Sequence, residues 1–209
     1  MTTTTIRHHP SEATLLAYAA GTLPTALALV AATHLAQCPV CRDMVAAAEA
    51  IGGTLLDSLS PAEMEVDVAA VDQVLERAGL PPAAPAPVLH PDLAPPLNRV
   101  RMGRWWPIGR GVRWRPLHVG GRAWAGLLLA QPGRSIPSHG HAGLELTCLL
   151  SGGFRDGGEE YAAGDVAEPV GEHDTPPVAI GAEPCLCVVG FEGMRFHGWL
   201  GLAQRLGRW

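Results

Sequence analysis

The chain has 209 residues, 47% of them hydrophobic, which allows one large core or two small ones. Before position 99, 3 Arg stand against 10 Asp and Glu (net −7), and an acidic half argues against direct nucleic-acid binding. The longest apolar run, 23–36, is too short to span a membrane. Because the first ten residues lack a signal-peptide pattern, we expect a cytoplasmic protein whose five cysteines are ligands or sensors rather than disulfides.

Four short helices are predicted in the first part of the chain. Ser11 supplies the N-cap of the first, and Gly52 and Gly53 are expected to end the third. Ser60 and Glu63 form a capping box at the start of the fourth. The predicted helices span about 11–20, 24–37, 39–51 and 60–79. Helices this short are marginal alone in water, so they must pack on each other, on a metal or on a partner.

A histidine and two cysteines lie close together where the second helix gives way to the third. In THLAQCPVCRDM, Cys38 follows His34 by four residues and Cys41 follows three later, so the three side chains can converge. His8 or His9, just before the first helix, can supply the fourth ligand of a tetrahedral zinc ion. The alternatives are a thioredoxin-type redox pair, which requires a βαβ context that is absent here, and three buried core residues. We favour zinc, whose binding energy lets a small helical domain fold.

The same motifs resemble a known family, the zinc-binding anti-sigma domain. HHPSE and HLAQCPVC, with the His-x3-Cys-x2-Cys spacing, carry the resemblance over roughly residues 6–80. It implies that four helices hold an extracytoplasmic-function sigma factor away from RNA polymerase. It also implies His34, Cys38 and Cys41 as zinc ligands, with His9 as the fourth and His8 as its alternative.

A proline-rich segment divides the chain. Seven of the nineteen residues 80–98 are proline, a composition that favours extended, semi-rigid structure over a packed element. Short β-rich runs separated by Gly, Pro and Asp follow it. We therefore predict an all-α domain at 1–80, a linker at 81–98 and an all-β domain at 99–209.

The second domain contains a histidine and carboxylate motif. His139, His141 and Glu145 reproduce the spacing of the first motif of the cupin family, which implies a small β-barrel. If they lie on one strand, these positions share a face and point into the barrel together. His173, in GDVAEPVGEHDTPP, is the candidate fourth ligand, although this second motif departs from the family spacing at two places and lacks the trailing Asn. Such ligands suit Zn, Fe, Mn or Ni, and a barrel that has lost its metal is the alternative.

Two further cysteines lie on a predicted strand near the end of the chain. Cys185 and Cys187 are two residues apart and so face the same way, toward the barrel interior or its mouth. They are either redox-active, metal-associated or simply buried, since a free cysteine packs as a small hydrophobic residue. Cys148 has the opposite parity to Glu145, which predicts that it packs outward or against the second sheet.

The order of a helical zinc module, a proline-rich linker and a metal cupin resembles the ChrR family of anti-sigma factors over nearly the whole chain. The resemblance implies a 1:1 complex with a group IV sigma factor, and a cupin that is needed for release under singlet oxygen or related oxidants. One alternative is a metal-dependent cupin dioxygenase or isomerase with an accessory helical domain. A third interpretation is direct redox sensing at Cys38 and Cys41, in which zinc loss frees the sigma factor.

Overall fold

The helical part of the protein begins with three helices. The computed structural model describes residues 5–60, 73–74, 93, 95–136, 139–140, 143–169, 176–193 and 195–196. Its first three helices are α1 (Glu12–Ala19), α2 (Thr25–Leu35) and α3 (Pro39–Ser58). Ser11 caps α1 as predicted, because its Oγ accepts a hydrogen bond from the Thr14 N–H at 3.2 Å. The predicted fourth helix lies outside the described residues, apart from residues 73–74, which are helical.

The third helix is longer than the sequence predicts. Its predicted end near residue 51 is wrong, because α3 runs through Gly52 and Gly53 to Ser58. Neither glycine has the positive φ that a glycine at a helix end usually adopts, so neither stops the helix. Each costs about 1 kcal/mol relative to alanine in a helix interior, which the length of α3 tolerates. A smaller correction concerns Pro24, which is the N-cap of α2 rather than its first residue.

The rest of the described chain is antiparallel β structure, preceded by a 3-10 turn at Leu97–Arg99. The strands are β1 (Arg101–Met102), β2 (Trp106–Gly109), β3 (Val112–His118), β4 (Trp124–Ala130), β5 (His139–Gly140), β6 (Glu145–Ser151), β7 (Gly153–Asp156), β8 (Glu159–Ala162), β9 (Val166–Ala167), β10 (Val178–Ile180), β11 (Cys185–Phe191) and β12 (Arg195–Phe196). We call 5–60 the helical module and the described residues from 95 onward the β-domain. The predicted fold class, an all-α domain followed by an all-β barrel domain, is confirmed.

The strands of the β-domain form three sheets. The largest has the order β1-β3-β4-β11-β6-β9, with β2 added beside β3. A second sheet has the order β10-β7-β8, and β12 pairs with β5 in a third. Side chains from the first two sheets meet in one apolar interior, which includes Leu128, Leu149, Phe154, Cys187 and Val189. This interior is the barrel core.

The outer face of the large sheet carries a second core, shared with the helical module. Ala26, Leu27 and Val30 of α2 pack there against Leu146 and other apolar side chains of the sheet. Leu97, at the end of the proline-rich segment, is also buried in this cluster, while the domain boundary at 98 itself stays a prediction. The helical module is therefore seated directly on the β-domain. In the part of the chain that the structure describes, no helix is both long and apolar enough to cross a membrane.

Candidate metal centre

Four donor side chains meet at the corner between α2 and α3. One nitrogen or sulfur atom from each of His9, His34, Cys38 and Cys41 lies within 4.8 Å of all the others. The Cys41 Sγ is 3.3 Å from both the His34 Nε2 and the His9 Nδ1, and the Cys38 Sγ is 3.5 Å from the His9 Nδ1. These are the residues that the anti-sigma motif implied.

Proline at position 39 creates the corner. Cys38 has extended backbone and is the N-cap of α3, and Pro39 occupies the first turn, where its missing N–H costs nothing. The Cys38 N–H donates to the His34 carbonyl oxygen at 2.9 Å, which holds the end of α2 against the start of α3. The predicted helix break therefore lies at Cys38 and Pro39, and it places both cysteines at the corner between α2 and α3.

The tautomer of His34 is fixed by a residue far away in the chain. The His34 Nδ1 lies 2.8 Å from the carbonyl oxygen of Gly164, which can only accept, so Nδ1 carries the proton. The unprotonated Nε2 is then the atom that faces Cys41. Burial lowers the pKa of His34 below its usual value, which keeps the ring neutral. A neutral imidazole with a free Nε2 is what a metal ion requires.

The two thiols also fit a bound cation. Burial and the neighbouring Cys38 raise the pKa of Cys41 to about 12 when no cation is present. Thiolates this close and buried need a positive charge beside them in order to form. A tetrahedral ion with bonds of about 2.0–2.3 Å would place its donors about 3.3–3.8 Å apart, and the donor distances at Cys41 agree with this. The four residues therefore fit a divalent metal ion.

His8 lies outside this cluster. Its ring centroid is 4.3 Å from that of Tyr161 on β8, so His8 packs on the β-domain while His9 reaches the cysteines. Between the two histidines that the sequence left open, the structure brings His9 to the donor set.

The predicted metal residues of the β-domain are described only in part. Glu145 is buried at the start of β6 opposite Phe191, and the Thr147 hydroxyl donates to its carboxylate at 3.3 Å. His139 is on β5, where its backbone pairs with Phe196, whereas His141 and His173 lie outside the described residues. The expectation that the first motif forms one strand is wrong, because β5 and β6 belong to different sheets. The chain bends at Gly143 between them, where the backbone lies against Glu192.

Cysteines of the β-domain fall on two faces of the large sheet. Cys185 and Cys187 face the barrel interior together, with their sulfurs 3.4 Å apart, as the two-residue spacing predicts. The hydrogen bond between them lowers the pKa of Cys185 and, together with burial, raises that of Cys187. Cys148 faces the opposite way and is buried beneath α2, where burial raises its pKa to about 12.

Sequence reasoning missed the part that the β-domain plays at the helical corner. Gly164 holds His34, Asp165 binds the backbone before His9, and Glu168 contacts the start of α1. The sequence marks Gly164 only as the start of the predicted second cupin motif. No local pattern in that segment indicates contact with a module 130 residues earlier in the chain.

Comparison with known proteins gives related proteins for both parts of the chain. The family model described as a ChrR cupin-like domain matches residues 97–194. The anti-sigma-E factor ChrR of Cereibacter sphaeroides is 41% identical over 203 residues, which cover 94% of this chain and 95% of the relative. A crystal structure of Rhodobacter sphaeroides SigE in complex with the anti-sigma ChrR matches at a TM-score of 0.71 and 39% identity. That match covers 90% of this chain and 100% of the solved chain.

Proposed function

Since this chain belongs to the ChrR family of anti-sigma factors, we propose that its helical module sequesters a group IV, extracytoplasmic-function sigma factor in a 1:1 complex. Binding would mask the surface with which the sigma factor contacts RNA polymerase, in the cytoplasm. The similar ChrR was crystallised with SigE, which supports a sigma factor as the partner. The family is regulatory, so the metal-dependent cupin enzyme is not the function we propose.

The observation that carries this proposal is an apolar stripe exposed on α3. Met44, Ile51, Leu55 and Leu59 recur on one side of the helix and its C-cap, and their side chains are exposed in the described structure, Leu55 by 63% and Leu59 by 68%. Val40 extends the same stripe toward the start of α3, and Leu56, about 100° around the helix from Leu55, is a further exposed apolar side chain. Because an apolar surface of this length is uncommon on a protein that acts alone, it fits a partner that covers it.

Charge supports the same partner. The acidic residues of α3, which are Asp43, Glu49 and Asp57, lie on the sides of the helix away from the stripe, and the N-terminal part of the chain is acidic as a whole. An acidic N-terminal part favours a partner with a basic surface, and it disfavours nucleic acid as the ligand.

We propose zinc as the ion of the helical module, held by His9, His34, Cys38 and Cys41. Two sulfurs and two imidazole nitrogens are typical of structural zinc sites, and three of these four donor residues are buried. In the cupin domain we propose His139, His141, Glu145 and His173 as ligands of zinc or another divalent ion such as Fe, Mn or Ni. That metal and the nearby oxidant chemistry would serve release of the sigma factor under singlet oxygen or related oxidants. The proposed domain limits are 1–80, 81–98 and 99–209.

A pull-down with the full chain tests sigma binding. A tagged group IV sigma factor from the same genome should retain the wild-type chain at one copy per sigma factor. Leu55→Asp should weaken binding about tenfold or more, because it places a charge in the apolar stripe. Ala50→Asp is the matched control, since residue 50 lies about 140° around α3 from residue 55 and is also exposed.

The outcomes separate the candidate functions. Loss of binding in Leu55→Asp, with binding retained in Ala50→Asp, assigns the stripe to the sigma factor. Equal binding by both variants contradicts the stripe as the contact surface. A wild-type chain that binds no sigma factor contradicts the proposed function and favours the cupin enzyme.

A further inference from the structure

The two histidines of the metal centre are held by a segment of the cupin domain, residues 164–168. The His34 Nδ1–H donates to the Gly164 carbonyl oxygen at 2.8 Å. On the other side, the Val166 N–H donates to the His8 carbonyl oxygen at 3.0 Å, immediately before His9. Both histidine ligands are therefore held partly from outside the helical module, His34 at its ring and His9 through the backbone before it.

Asp165 strengthens this attachment. Its side chain is 1% exposed, and its Oδ1 accepts the backbone N–H groups of Arg7 at 2.7 Å and His8 at 3.1 Å. Its Oδ2 accepts the Ala162 N–H at 2.9 Å, within the same turn of the cupin domain. A buried carboxylate that accepts three backbone N–H groups holds them more firmly than neutral hydrogen bonds do. The residues just before His9 therefore have a fixed path.

Glu168 holds the chain just after His9. One of its carboxylate oxygens accepts the Ser11 N–H at 2.7 Å, and the other lies 2.9 Å from the Ser11 hydroxyl and 2.8 Å from the Thr14 hydroxyl. Since Asp165 fixes residues 7 and 8 while Glu168 fixes residue 11, His9 is bracketed by cupin contacts on both sides.

The cysteines are held differently. Cys38 and Cys41 belong to the corner between α2 and α3, whose backbone hydrogen bonds stay within the helical module. The donor set is therefore divided: the helical module alone positions the two sulfurs, whereas the cupin segment also orients the His34 ring and fixes the backbone on both sides of His9.

We infer that the cupin segment 164–168 is the outer shell of the N-terminal zinc site, so that docking of the two domains controls how firmly zinc is held. This inference rests on the proposed zinc site. Residues that orient a metal's histidine ligands usually change metal affinity 10- to 100-fold when they are replaced. Thermodynamic linkage makes this effect reciprocal. If docking of the two domains strengthens zinc binding, zinc binding strengthens docking by the same factor. A structural change in the cupin domain would thus alter zinc binding through the hydrogen bonds of Gly164, Asp165 and Val166.

Zinc release from the full chain to a chromophoric chelator tests the inference. Asp165→Asn should release zinc about tenfold faster than the wild type, because the charged acceptor before His9 is lost. Asp165 also supports the turn at Ala162, so Glu168→Ala provides a second test away from the barrel. Because the hydrogen bonds of Glu168 are partly exposed, we expect Glu168→Ala to release zinc on the order of fivefold faster than the wild type.

Matched variants separate positioning from general loss of stability. Glu168→Gln keeps an acceptor for the Ser11 N–H and should restore the slow release. Glu159→Ala removes an exposed carboxylate from neighbouring β8 and should leave the rate unchanged. Cys41→Ala supplies the background rate of zinc that leaves the cupin domain. In cobalt-loaded chains, the visible spectrum should shift in Asp165→Asn and Glu168→Ala, since it reports the geometry of the donors.

The rates of zinc release either support or overturn the inference. Faster release in Glu168→Ala, with Glu168→Gln and Glu159→Ala like the wild type, supports the inference. Release at the wild-type rate in both Asp165→Asn and Glu168→Ala overturns it, whatever their melting temperatures. If the wild type holds no more zinc than Cys41→Ala, the proposed zinc site itself is wrong and the inference goes with it.

Discussion

Gly190 of β11 lies directly beneath Ala26 of α2. A Cβ built at residue 190 would lie 2.7 Å from the Ala26 carbonyl oxygen and 3.0 Å from a methyl carbon of Val30. The absence of a side chain at residue 190 therefore sets how closely the helical module approaches the cupin sheet.

Gly190→Ala should act as a wedge between the two domains. Because backbone atoms of α2 must shift to admit the methyl group, we expect the free energy of unfolding to fall by about 1–3 kcal/mol. Gly52→Ala is the contrasting control, since a Cβ there meets nothing within 4 Å and alanine favours the helix by about 1 kcal/mol. Chemical denaturation of both variants measures the difference. Equal stability of Gly190→Ala and the wild type would contradict the tight seat of α2.

Cys41→Ala should remove one zinc ion per chain and destabilise the helical module by several kcal/mol. A structural zinc site supplies on the order of 10–16 kcal/mol of apparent binding free energy, and the variant loses one of its thiolates. Metal content and thermal unfolding, each measured with and without a chelator, provide the test. Cys185→Ala is the control, because Cys185 faces the barrel interior and is not one of the four donors, so this variant should keep the zinc of the helical module. Unchanged zinc in Cys41→Ala would rule out this site.

Cys148 should make the protein less stable at high pH. Burial raises its pKa to about 12 in the folded chain, whereas an unfolded thiol has a value near 9.0. Between these values the unfolded chain loses the proton that the folded chain keeps, so stability falls as pH rises above about 9. This contribution should approach 1.4 kcal/mol per pH unit, and the slope of Cys148→Ala should be shallower by that amount, since other buried groups such as Cys187 act in both proteins. Parallel slopes of stability against pH from 9 to 10.5 in both proteins would contradict a buried, neutral thiol.

His141→Ala should separate sigma binding from sigma release. If the cupin metal serves the response, the variant should bind the sigma factor normally and fail to release it when singlet oxygen is generated. Competition with RNA polymerase core, before and after illumination with a photosensitiser, measures both steps. His118→Ala, at the exposed end of β3, is the matched histidine control and should respond like the wild type. An intact response in His141→Ala would sink the proposed role of the cupin metal.

The sequence predicts what is decided locally. Ser11 caps α1 because its hydroxyl reaches a backbone N–H three residues away, and Pro39 separates α2 from α3. The convergence of His34 with Cys38 and Cys41 follows from helix spacing and this break. The two-residue period of a strand likewise predicts the shared face of Cys185 and Cys187.

What the sequence does not predict depends on long-range contacts or on weak local signals. The contact between His34 and Gly164 joins residues 130 apart, and neither neighbourhood carries a pattern that identifies the other. Gly52 and Gly53 resemble a helix end, but a stop also needs a left-handed backbone there, and α3 keeps its helical course instead. The motif of His139 and Glu145 predicted one strand, whereas the chain bends between them to change sheets.

The hydrogen bond from Val166 to His8 has a further consequence for self-association. Among the described strands β9 is the last of the large sheet, and an edge strand offers unpaired backbone groups to another molecule. The His8 carbonyl oxygen accepts the Val166 N–H of this strand, and the N–H groups of residues 7 and 8 bond the Asp165 side chain beside it. The N-terminal segment thus guards a sheet edge as well as carrying a metal ligand. Removal of residues 1–10 should therefore make the protein more prone to dimerise through the exposed edge of β9.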